Sequence, residues 1–197
     1  MNAAELLILL LEIPGGITRT SLGQVASAAE VLINKRLVKQ GQRRQSFGCD
    51  RCQFGHVAEI EFDPMRREYG FHCIESGWVS LSEFELETIV ADVVQVIEWL
   101  RIGCGVKTRP HSRSLVLDRV WLIGEIGFTD AAATIVLISG LDHEAGRETA
   151  YAALRRVPPA MVGLALTTTA GVPADLLLRH GYHVLPLGDV LALQLQF

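Results

Sequence analysis

The sequence predicts a mixed α+β / α/β chain, and three features carry that expectation. Residues 1–48 read as short capped helices. Residues 47–80 read as short strands around tight turns, and they hold three cysteines and two histidines. Residues 106–197 alternate strand with helix, the order of a small open sheet with helices packed on it. Three units follow: 1–48, 49–105 and 106–197. With 197 residues, 49% of them apolar, the chain is long enough to bury a real core, and its composition gives no sign of disorder.

The elements are read in chain order. Residues 2–13 form a helix that Asn2 caps, apolar nearly all round at Leu6–Leu11 and ended by Pro14-Gly15-Gly16. Thr18 or Thr20 opens a second helix to about Val25. Ser27-Ala28-Ala29-Glu30 has the capping-box spacing and starts a third, to about Leu37, with Ala28, Val31 and Leu32 on one face. Gly41 stops it, and Gln42–Phe47 is a polar, basic wing or linker. His56–Phe62 alternates apolar and polar, the period of a half-buried strand. Tyr69–Cys73 and Trp78–Leu81 are further strands. Ser82-Glu83-Phe84-Glu85 is a second capping box. It opens a long helix over 83–101, with a stripe of Leu86, Ile89, Val90, Val93, Val94, Ile97 and Leu100. Residues 106–114 form a basic loop. Strands are expected at Val116–Ile123, Thr134–Ser139, Val162–Thr167 and Tyr182–Leu187, with helices at Glu144–Arg156 and Ala174–Arg179.

Charge divides the chain in a similar way. Residues 1–48 carry Arg19, Lys35, Arg36, Lys39, Arg43 and Arg44 against three acids, whereas residues 49–100 carry eleven acids against three arginines. Residues 101–119 turn basic again. Such alternation points to segments with separate tasks. The run Leu6–Leu11 is too short to span a bilayer, lacks a basic region before it and is followed by Glu12, so a cytoplasmic chain without a membrane partner is expected.

Cys49-Asp50-Arg51-Cys52 sets two thiols on one tight turn, where both sulfurs can reach one ion. His56 follows after Gly55, and His72-Cys73 returns after a strand and turn. Tetrahedral zinc takes Cys3His sets. Residues 47–80 resemble the broad zinc-ribbon and zinc-knuckle class through Cys49, Cys52, His56 and Cys73. The second half departs from the ribbon pattern, because His72-Cys73 stands where a ribbon repeats Cys-x-x-Cys. The fourth ligand is therefore His56 or His72. His56 is preferred, since adjacent strand residues face opposite ways and Cys73 facing the ion turns His72 outward. Cys104 lies far along the chain. The resemblance implies structural Zn(2+); core cysteines or a redox pair are the alternatives, and a redox pair favours a helix start rather than a glycine-flanked turn.

Three short helices followed by a basic hairpin-like stretch resemble a winged helix-turn-helix domain over residues 2–48. In that class the third helix enters the major groove and the wing touches the backbone. The resemblance implies contact with duplex DNA through Lys35, Arg36, Lys39, Arg43 and Arg44, whose cations replace condensed counterions. Asn34 and Arg36 are the main groups able to read base edges. The alternatives are a protein-binding unit or a purely structural one.

The sequence has no phosphate-binding glycine signature, no G-x-S-x-G and no H-E-x-x-H. Glu125-Ile126-Gly127 lacks the lysine of a restriction-type nuclease, and Asp118 alone makes no site. Asp142, His143, Glu144 and Arg147 cluster after a strand, with Thr167-Thr168-Thr169 ending the next one. They could line a ligand crevice or form a capped helix start and polar loop. The expectation is a zinc-stabilised, non-catalytic DNA-associated binding protein, a regulator or accessory subunit. A protein–protein adaptor, with a partner or self-association, is the alternative, and a small-ligand or enzymatic α/β domain comes third.

Overall fold

The computed structural model describes residues 1–106, 113–127, 132–159 and 161–194. Most of the expected basic loop, with Lys107 and Arg109, lies outside them. Helix α1 (Ala3–Glu12) has a reciprocal cap: Glu5 N–H donates to Asn2 Oδ1 at 2.9 Å, and Asn2 N–H donates to Glu5 Oε2 at 2.8 Å. It buries Leu6, Leu7, Leu10 and Leu11. The turn after it needs glycine. Gly16 has φ +72, and a Cβ there would lie 2.3 Å from the Ile89 carbonyl oxygen. Strand β1 (Ile17–Thr18) follows, and Thr18 then caps α2 (Arg19–Gly23).

Helix α3 (Ala26–Asn34) starts earlier than the Ser27 box predicts. Ala29 N–H already bonds the Val25 carbonyl at 3.0 Å, so Ser27 falls inside the first turn and cannot cap it. The helix also ends earlier, at Asn34. Arg36 takes a left-handed φ of 56, Arg36 N–H returns to Ile33 O, and Leu37 N–H returns to Leu32 O. That pattern is a Schellman stop, which hands the chain to β2 (Val38–Gln40).

The middle of the chain forms β3 (Ser46–Gly48), β4 (Val57–Glu59), β5 (Glu61–Asp63), β6 (Glu68–Cys73) and β7 (Gly77–Leu81). The single strand expected over His56–Phe62 is two: β4 pairs with β3, and β5 joins the sheet β5-β6-β7. Between them Ile60 N–H bonds Gln45 O at 2.9 Å, the next position along the β3–β4 register.

The largest correction concerns residues 83–101. One long helix is expected; the structure has α4 (Glu83–Leu86), strand β8 (Thr88–Ala91) and α5 (Val93–Gly103). The Ser82 capping box does form. Helix α4 nevertheless stops after one turn, because β8 becomes the central strand of an antiparallel sheet of order β1-β8-β2. Ile17 pairs with Ile89, and Val38 with Ala91. Residues 88–91 thereby sit among residues 17–40.

The C-terminal part contains β9 (Arg113–Val116), β10 (Val120–Gly127), β11 (Ala132–Ile138), α6 (Glu144–Leu154), β12 (Val162–Thr167), β13 (Tyr182–Pro186) and α7 (Leu187–Gln194). The sheet order is β13-β12-β11-β10-β9. Neighbours from β9 to β11 run antiparallel, and those from β11 to β13 run parallel. The strand expected at Val116–Ile123 is met in part: Val116 ends β9, residues 117–119 turn with Asp118 at φ 54, and Val120–Ile123 begin β10. The helix expected at Ala174–Arg179 is a set of turns ending in a 3-10 turn, Leu178–His180.

One apolar core takes side chains from α1, α3, α5, β10, β11 and α7. A second lies on the other face of the sheet, under α6 and around Tyr182. A third, small one fills the middle module. No helix among the described residues is long and apolar enough to cross a membrane.

Candidate metal centre

Strands β3 and β4 form a hairpin whose end loop carries three candidate ligands. Gly48 pairs with Val57, and Cys49 N–H donates to His56 O at 2.7 Å. Cys49, Cys52 and His56 therefore all sit on one closed loop. Gly55, at φ +49, supplies the left-handed bend just before the histidine. The fourth side chain, Cys73, ends β6, where Cys73 pairs with Gly77 across a tight turn. Two bonds lace that turn to the first loop: Gln53 N–H to Glu75 Oε2 at 3.2 Å, and Ser76 Oγ to Arg51 O at 3.3 Å.

The candidate ligand atoms of Cys49, Cys52, His56 and Cys73 all lie within 4.8 Å of one another. Metal bonds of about 2.0–2.3 Å give a tetrahedron with edges of about 3.5 Å, so a small contraction seats one ion. His56 Nδ1 is 3.2 Å from Cys52 Sγ, while Nε2 of the same ring is buried without a hydrogen-bond partner. Phe71, fully buried, holds the ring edge-on at 6.4 Å and stacks on Phe47 at 5.4 Å. The set is compatible with holding a metal ion and is closed, with protein donors at all four corners.

The thiols are tuned by their surroundings. Cys73 is drawn down to about 7, first by the Ser76 backbone N–H and then by that of Glu75. Burial pushes the Cys49 thiol up. The thiolate is the ligand form, so the turn after Cys73 prepares one donor near neutral pH.

His72 stays outside the cluster. It is exposed on the opposite face of β6 and packs edge-on against Trp78 at 5.2 Å. Cys104 follows α5, packs against the first core, and has its thiol raised by burial.

The expected basic residues scatter. Lys35 and Arg36 form the end of α3. Lys39 pairs with Asp92 at 3.5 Å. Arg43 pairs with Glu83 at 3.3 Å and lies over Tyr69, and Arg44 lies over Phe47. The exposed side of α3 offers Ser27, Glu30, Val31, Ile33 and Asn34, none of them cationic.

The crevice expected at the carboxyl ends of β11 and β12 has an internal occupant. Glu12, at the end of α1, accepts hydrogen bonds from Thr168 Oγ1, from Thr169 Oγ1 at 3.1 Å and from Gly140 N–H at 3.2 Å. Arg147 is spent on the carbonyls of Leu141 and Asp142. His143 and Asp142 pair at 3.0 Å in the open. Thr167 is buried, and Glu144 is the first residue of α6. Glu12 has no local sequence signal, because its partners lie more than a hundred residues away.

No protein-family model matches the chain, and neither a curated protein nor a solved structure does.

Proposed function

We propose that the chain is a zinc-stabilised, non-catalytic binding protein that associates with nucleic acid through its first unit. The observation that carries this is the element order α1-β1-α2-α3-β2 completed by β8, with sheet order β1-β8-β2. That order supports a winged-helix reading of the first unit, in which residues 41–87, with the Cys3His cluster, would take the wing's position. Three thiols and an imidazole in a closed set favour zinc in a structural role over a catalytic metal, which keeps one position open. Because the exposed side of α3 lacks cations, contact runs through the phosphate backbone rather than through base edges. Lys35, Arg36 and Arg44 are its leading contributors, and the paired Lys39 and Arg43 come second.

Retention on duplex DNA at low salt, lost steeply as salt rises, is the expected result. No retention at about 50 mM salt would sink the reading.

A second reading, a protein adaptor, draws on a different observation. Phe54 and Ile74, one beside each metal-bearing turn, are 84% and 93% exposed. Binding to a partner that Phe54→Asp abolishes, with metal content unchanged, would favour it.

A further inference from the structure

We infer that the groove between residues 15–21 and 42–46 is the seat of a nucleic-acid phosphodiester backbone. This rests on the DNA-association reading and assigns it a location outside α3.

The groove crosses the end of the β1-β8-β2 sheet and encloses about 550 Å³, within the range of about 300–1,000 Å³ that ligand pockets span. Its walls are polar: Thr18 and Ser21 on one side, Gln42, Arg43, Arg44 and Ser46 on the other. Among the described residues none of those lining it is acidic, and none is aromatic. A strand of bases would find no ring to stack on, whereas phosphate oxygens would find hydroxyl, amide and guanidinium donors.

The two guanidinium groups are pre-oriented. Arg43 lies over Tyr69 at 5.0 Å, and Arg44 over Phe47 at 5.4 Å. Stacking fixes the plane of a guanidinium, and the N–H edge of Arg43 is shared with Glu83 at 3.3 Å. The Arg43–Glu83 pair is exposed on both sides, 47% and 74%, so it is weak enough to yield to a phosphate. Each wall is also held by its own backbone. Thr18 Oγ1 accepts from Ser21 N–H at 3.2 Å, and Arg44 N–H donates to Leu86 O at 3.0 Å.

The test is fluorescence anisotropy of labelled duplex and single-stranded oligonucleotides with the full, metal-loaded chain, from about 50 to 200 mM salt. Arg44→Ala is expected to weaken binding about tenfold and to lower the salt slope by about one. Arg44→Lys is expected to keep the slope and lose part of the affinity, because the charge stays and the fork goes. Metal content and melting temperature equal to wild type establish that the variants fold. Wild-type binding with unchanged affinity and slope in both Arg43→Ala and Arg44→Ala overturns the groove and leaves DNA association standing. No binding by the wild type removes both. Inorganic phosphate that displaces the oligonucleotide at low millimolar concentration identifies a free-phosphate site and overturns the backbone assignment.

Discussion

In the module between β3 and β7, the buried side chains are Cys49, Phe71, Cys73 and Leu81, joined by Leu86 from α4. In the C-terminal sheet, β11 alone buries six of its seven residues, from Ala133 to Ile138. The first region has too few apolar groups to offset the entropy of ordering its loops, and two of its five buried side chains, Cys49 and Cys73, are candidate metal donors. The second is held by apolar area on both faces, at about 25 cal/mol per Å² buried. The first region is expected to depend on an ion held by the Cys49–Cys52–His56–Cys73 cluster and the second on close packing, so different agents should undo them.

The largest effect is expected from removing the metal. Chelation, or Cys73→Ser, withdraws on the order of 10 kcal/mol of binding free energy from the module. Hydrogen exchange should then show protection lost over residues 46–81 and kept in β10 to β12. Simultaneous loss in both regions would mean that they are one cooperative unit.

A smaller effect is expected at high pH, in the sheet alone. Tyr182 is fully buried, and burial first, then Glu125, pushes its phenol up to about 12; its hydroxyl donates to Val157 O at 2.8 Å. Its pKa is higher folded than unfolded, so its contribution is complete below about 10 and is lost as pH rises through about 12. At about 1.4 kcal/mol per unit, on the order of 2–3 kcal/mol disappears over that window. Chemical denaturation of wild type and Tyr182→Phe at pH 9 to 12 checks it, and an identical pH dependence in the two would refute the assignment.

The smallest effect concerns the tie between α1 and the sheet. Glu12→Ala leaves the Thr168 and Thr169 hydroxyls and the Gly140 N–H without their shared acceptor, at about 1–3 kcal/mol. A lower melting temperature with unchanged metal content is the expected signature. If Glu12→Ala and Thr168→Val prove additive in a double-mutant cycle, the two are not coupled.

Much of the metal cluster was legible because its signals are local. Cys49-x-x-Cys52 fixes one turn, and strand alternation separates Cys73 from His72. Strand β8 was not read, although Thr88, Ile89 and Val90 are β-branched. Its apolar residues also fit a helical stripe running from Leu86 to Leu100, and that period hid it. What made it a strand was pairing with Ile17–Thr18 and Val38–Gln40, contacts that no window along the chain contains. The Glu12 tie was illegible for the same reason. The start of α3 is not legible because the helix begins without a side-chain cap: Val25 is its N-cap, and Ser27 falls inside the first turn. Helix α7 is short, and Leu187–Gln194 follows β13 with only Pro186 and Gly188-Asp189 to mark the change.

The place where the segment with the Cys3His cluster joins the first unit has one more consequence. Gln40 and Ile89 face each other across an antiparallel pair, so the segment leaves and re-enters one small sheet at points about 5 Å apart. A graft with such closely spaced ends places little demand on its host. The joint is therefore an exchange point: a tight two-residue turn between Gln40 and Ile89 could close the host sheet, and the excised segment could be carried by any hairpin of the same width.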